Sequence, residues 1–125
     1  MTVRVLVVED TDHVREMLVN ILAIQGFEIA GQAAGAEEAL ALAAETDPDV
    51  VVMDYKMPET DGISATYRLR EQDPDRAVIL YSAYLTDELR QRAEEAGVLA
   101  CVPKVAGVEA LAREIAAAAL TLEED

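Results

Sequence analysis

Four apolar runs in this chain each stop on a residue able to do chemistry. Val3 to Val8 leads into Glu9 and Asp10, Val50 to Met53 into Asp54, Val78 to Tyr81 into Ser82, and Val98 to Val102 into Pro103 and Lys104. Brought together, three carboxylates, a hydroxyl and an ammonium would make a pocket with a defined use. Crowded carboxylates repel, which raises at least one pKa unless a cation intervenes. A few hard oxygen ligands with room for water suit Mg2+ better than Zn2+, for which the sequence offers no His or Cys cluster. With its charge offset by such a metal and by Lys104, the pocket could admit a phosphoryl group and Asp54 could serve as the nucleophile. Ser82 would donate to one phosphoryl oxygen and Lys104 would pair with another.

Those residues are far apart in sequence, so the fold must gather them. Each run has strand length and is rich in β-branched residues, and Phe27 to Ala33 adds a weaker, alternating segment that reads as a half-buried edge strand. Between the runs the apolar period becomes helical. Val14, Met17, Leu18, Ile21 and Leu22 share one face, with Thr11 or Asp12 placed to cap the start and Gly26 the end. Ala36, Ala39, Leu40 and Ala43 define a second helix, and Ile63 to Glu71 a third that stops before Pro74. Leu85, Leu89 and Ala93 give a fourth helix with a thin apolar face, the least firmly held. Val108, Leu111, Ile115 and Leu122 give a fifth. Strand and helix alternating throughout, with crossovers long enough for parallel pairing, predict a (βα)5 doubly wound α/β sheet. Such sheets carry their ligand sites at the carboxyl ends of the strands, where all the residues above fall.

The totals bound the rest. At 125 residues one domain with a single sizeable core is expected, and a composition 52% hydrophobic but only 4% aromatic puts Ala, Val, Leu and Ile in it. A formal net charge of -15 argues against sequence-independent binding to nucleic acid or anionic lipid, which needs clustered Lys and Arg. Nothing in the first ten residues reads as a signal peptide or membrane span, and the lone Cys101 calls for no oxidising compartment, so a cytoplasmic protein is expected. Cys101 reads as a small core residue, His13 as solvated, and Thr60, Asp61 and Gly62 as loop chemistry, with Gly62 supplying backbone freedom.

Taken in order, "VVED", "MDYKMPETDG", "ILYSA" and "CVPK" resemble the receiver domain of two-component response regulators, and the resemblance covers the chain. It implies a flavodoxin-like five-stranded parallel sheet in the order 2-1-3-4-5, with residues 1–122 as the receiver and 123–125 as an acidic tail. Asp54 would take a phosphoryl group from the phosphohistidine of a histidine kinase or histidine phosphotransfer protein. Asp10 and Asp54 would ligate Mg2+ directly, the backbone carbonyl of Lys56 would be a third ligand, and Glu9 would act largely through water. Ser82 and Lys104 would read the phosphoryl group. The output would be a changed protein-binding or self-association face on the fourth helix, fifth strand and fifth helix, in a domain that signals and is not an enzyme.

Two positions depart from the usual pattern. Val105 follows Lys104 where many receivers have a proline in a cis bond, so a trans bond is expected here. Cys101 stands where many carry an aromatic switch residue, and Tyr84, with Lys56, is the candidate to screen an acyl phosphate instead. These departures keep open a pseudo-receiver acting as a constitutive interaction module. An aspartyl-nucleophile phosphohydrolase is a more distant alternative, since such enzymes place a second Asp where this chain has Lys56.

Overall fold

The computed structural model describes residues 2–123, with side chains described through residue 121. In chain order the elements are β1 (Arg4–Val8), α1 (Asp12–Ile24), β2 (Glu28–Ala33), α2 (Ala36–Thr46), β3 (Val50–Met53), α3 (Gly62–Gln72), β4 (Val78–Ser82), α4 (Asp87–Ala96), β5 (Ala100–Pro103), a 3-10 turn (Lys104–Ala106) and α5 (Val108–Glu123). The five strands form one parallel sheet in the order β2-β1-β3-β4-β5, as the resemblance implies. α5 includes Glu123, the first residue of the acidic ending; the other two, and the Leu122 side chain, lie outside the described residues.

Alternation along the strands splits the core in two. Leu6, Val8, Val51, Met53, Val78 and Leu80 face α2, α3 and α4, where Ala36, Ala39, Leu40 and Ala43 all pack inward as their spacing requires. Val5, Val7, Val50, Val52, Ile79 and Tyr81 face the other way, against Leu18 and Leu22 of α1 and Leu111 and Ile115 of α5. Both faces are covered, which is why β1, β3 and β4 read as continuous apolar runs. β2, at the sheet edge, is only partly buried.

Several boundaries differ from the sequence reading, each for a local reason. Thr11 is the N-cap residue of α1, but its hydroxyl makes no cap bond; its own N–H donates instead to Glu9. Met17 sits on the flank of α1 and is 48% exposed, leaving the contact to Leu18 and Leu22. Leu85 precedes α4, whose N-cap is Thr86 with its hydroxyl accepting from Leu89 N. β5 starts at Ala100 and not Val98, because Gly97 (φ +94°) closes α4 and Val98 N is spent on Ala93 O in a Schellman-type stop.

At the amino edge of the sheet two arginines grip the end of α2. Arg76, only 6% exposed, donates to Asp47 Oδ1 (2.9 Å) and makes long contacts to the carbonyls of Ala43 and Pro48 (3.5 Å each), its buried Nε finding no partner among the described residues. Arg4 donates to the carbonyls of Thr46 and Asp47, and its backbone N–H to Asp49 Oδ2 (2.8 Å). No helix among the described residues is long and apolar enough to cross a membrane.

Candidate phosphoryl-transfer site

Strand register sets the geometry of the carboxyl edge. Val8 pairs with Met53, so Glu9 and Asp54 leave the sheet side by side, and Asp54 N still donates to Val8 O at 3.1 Å. Ser82 pairs with Pro103, which delivers Lys104 one residue beyond the same edge. One carboxylate oxygen each from Glu9, Asp10 and Asp54 lies within 4.8 Å of the others. The Lys104 ammonium enters this cluster, with Nζ 2.7 Å from Glu9 Oε1 and 3.3 Å from Asp54 Oδ2. All these residues, with Ser82, line one open cleft of about 720 Å³.

Burial separates the three acids. Glu9 is 2% exposed and Asp54 9%, whereas Asp10 opens to solvent. Partial burial, and then the adjoining Glu9 through a hydrogen bond and its charge, raise the Asp10 carboxyl above its ordinary value. For Lys104, burial works to lower the pKa, but the hydrogen bond to Glu9 and the charge of Asp54 outweigh it and hold the ammonium above the usual lysine value. Lys104 therefore stays charged, bonded to two of the three carboxylates. The donor set is all hard oxygen, so it fits a divalent cation such as Mg2+ and not a thiolate- or imidazole-seeking metal.

The loop after Asp54 is shaped by a close approach. A Cβ on Gly62 would sit 2.3 Å from the Asp54 carbonyl oxygen and 3.0 Å from Tyr55 Cα. Gly62 thus lets α3 begin against the backbone of Asp54, its N–H bonded to Tyr55 O at 2.7 Å; the expectation that it supplies conformational freedom is replaced by this contact. Asp61 is the N-cap of α3, accepting from Ser64 N at 2.8 Å, and pairs in a short antiparallel bridge with Lys56. On the opposite wall the Ser82 hydroxyl, 3% exposed as a residue, is turned into its own loop, with long contacts to Tyr84 N (3.4 Å) and Tyr84 O (3.5 Å). Tyr84 is 77% exposed at the cleft mouth. The Lys104–Val105 bond is trans, and Val105 stands in solvent. His13 is exposed, and Cys101 is half-buried in β5, where desolvation pushes its thiol up and away from reactivity.

Residues 5–116 match the response regulator receiver domain family. This chain belongs to that family. Among its relatives, the response regulator GacA of Pseudomonas aeruginosa is 40% identical over 114 residues, covering 90% of this chain and 53% of GacA. The receiver thus spans about half the length of the curated relatives it matches first. Two solved structures resemble it closely. The response regulator domain of Thermotoga maritima CheB has 27% identity and a TM-score of 0.87, covering 95% of this chain and 97% of that one. The CheX–CheY–BeF3–Mg2+ complex of Borrelia burgdorferi has 30% identity and a TM-score of 0.78, covering 82% and 78%. The chain is a receiver of two-component signalling, as its motifs suggest.

Two residues of this receiver's site escaped the sequence reading. Arg15 on α1 donates to the Glu9 carbonyl at 2.8 Å and to Asp12 at 2.6 Å, bracing the acidic loop from behind. Its spacing of three from Asp12 was a usable signal. Arg92 on α4 lines the cleft near Tyr55, whose phenol holds the guanidinium above its ordinary value. No local pattern distinguishes it from a solvated helix arginine.

Proposed function

We propose that this receiver accepts a phosphoryl group on Asp54 from a histidine kinase or a histidine phosphotransfer protein. A carboxylate oxygen of Asp54 attacks phosphorus, the N–P bond of the phosphohistidine breaks, and the released imidazole leaves with its electron pair. When bound, Mg2+ supplies the positive charge that lets an anionic phosphoryl group approach a carboxylate. Asp10 and Asp54 would hold it, with the Lys56 carbonyl, and Glu9 largely through water. The observation that carries this reading is the pairing of three carboxylates within 4.8 Å with a charged lysine whose ammonium reaches Asp54. BeF3 and Mg2+ in the complex of the Borrelia relative are consistent with it.

Lys104 and Ser82 would then stabilise the phosphoryl oxygens. Ser82 has to leave its long contacts with Tyr84 to do so, and that movement would pull the β4–α4 loop and shift α4, whose apolar face is thin. The expected readout is a changed face on α4, β5 and α5 that binds a target or a second copy, in a cytoplasmic protein that signals and does not turn over a substrate. Tyr84 and Lys56, both at the cleft, would screen the acyl phosphate from water.

Incubation with Mg2+ and acetyl phosphate, followed by intact mass, tests the reading. One added phosphoryl group is expected, abolished by Asp54→Ala and by a chelator. No adduct, with a phosphorylated kinase as donor as well, would make this chain a constitutive interaction module.

A further inference from the structure

Every polar group of Glu9 already has a protein partner. Its N–H donates to Ala33 O, its carbonyl accepts from Arg15, Oε1 accepts from Lys104 at 2.7 Å and Oε2 from Thr11 N at 3.2 Å. It is also the most buried of the three acids. The contact to Lys104 has the length of a full charge-assisted hydrogen bond, whereas the contact from Lys104 to Asp54, at 3.3 Å, is longer than that range. We infer that Glu9 is a positioning residue that acts through Lys104, anchoring the ammonium beside Asp54 without letting it close on the nucleophile. The inference rests on the phosphoacceptor reading for its purpose, though not for its geometry.

The physical case is one of competition. An ammonium has three donors, of which Glu9 and Asp54 engage two, leaving one for an incoming phosphoryl oxygen. Without the Glu9 charge, Asp54 becomes the nearest anion, and Lys104 settles on it as a tight pair. That pair would blunt the nucleophile and exclude a metal from the same oxygen. With Glu9 in place the ammonium stays put when Asp54 is phosphorylated, because its stronger partner is not the group that forms the new bond.

The chain has only two lysines, Lys56 and Lys104, so lysine side chains labelled with 13C at Cε give two NMR signals. In Mg2+-free protein, Glu9→Gln is expected to move the Lys104 signal further than Asp54→Asn does; the reverse order would overturn the inference, whether or not the protein accepts phosphoryl groups. Glu9→Asp keeps the charge but shortens the reach, and is expected to shift the signal in the direction of Glu9→Gln. The rate of adduct formation from acetyl phosphate at saturating Mg2+ should fall about tenfold or more in Glu9→Gln, the scale of one hydrogen bond to a charged group. That loss should disappear in a Lys104→Met background. A loss of equal size there would mean that Glu9 acts on the metal directly and would overturn the inference. An unreactive wild type would instead count against Asp54 as acceptor, with the NMR comparison still deciding the role of Glu9.

Discussion

Arg76 and Lys104 are both cations set among carboxylates at an edge of one sheet, yet their surroundings are built to opposite ends. Arg76, at the amino edge, meets the Ala43 carbonyl in the last turn of α2, where the negative end of the helix dipole favours a cation, and the Pro48 carbonyl just beyond it, while Arg4 at the start of β1 holds the carbonyls of Thr46 and Asp47. Lys104, at the carboxyl edge, faces three carboxylates and cannot satisfy them all. One edge spends its charge on holding α2 to the sheet. The other keeps an excess of like charge that only a further cation or a proton can relieve. The difference teaches that in this receiver bonding and crowded like charge are assigned to opposite edges of one sheet, so that the repulsion at one is tolerated because of the bonds made at the other.

Removing Arg76 should be the costliest way to break this contrast. Arg76→Ala is expected to lower stability by about 2–3 kcal/mol, mainly through a lost buried stem, with the long contacts to the carbonyls adding less. The exposed Asp47 carboxylate adds little to that sum. Urea unfolding measures it, and Mg2+ affinity in the folded protein should be unchanged; a cost near zero would mean that the amino edge is not where stability resides. Gly62→Ala comes next, at about 1–3 kcal/mol, because the added Cβ must push against the Asp54 carbonyl and cannot simply fill a void. Unlike Arg76→Ala, it should also slow adduct formation by displacing the acceptor.

The smallest effect sharpens the contrast from the other side. Because the Asp10 carboxyl is raised, the folded protein binds more protons than the unfolded chain between the ordinary carboxylate value and the raised one. Ionised Asp10 therefore costs stability at neutral pH, and that cost is removed as pH falls through its raised pKa. Asp10→Asn is expected to raise Tm in metal-free protein, by on the order of 2 °C. Mg2+ should raise the Tm of the wild type and not of the variant, and the Mg2+ effect should shrink as the pH is lowered. A metal-free variant less stable than the wild type would mean that the carboxyl edge is not under repulsion.

Much of this arrangement was legible in the sequence because strands and their ends announce themselves. The runs ending in Glu9, Asp54 and Ser82 are apolar on both faces, and the residue after each can only be at an edge. The alanine stripe of α2 was equally plain. What stayed hidden depends on distances across space. Gly62 looks like a flexible loop residue until the Asp54 carbonyl is found against it. Arg76 and Arg92 look like surface charges, and only the fold reveals that one is buried and the other lines a cleft. That Lys104 prefers Glu9 to Asp54 is a matter of side-chain conformation, on which spacing is silent.

The bond from Asp54 N to Val8 O has a consequence for time. It belongs to the ladder between β1 and β3, at the centre of the sheet, so the Asp54 backbone moves only as fast as the core does. The loop that carries Tyr84 lies outside that ladder and its contacts to Ser82 are long; surface loops of this kind rearrange in nanoseconds to microseconds. On the proposed reading, the group that would react and the part that would respond to it thus keep different clocks: a slow, stationary one for the chemistry, and a fast one for the news that it has occurred.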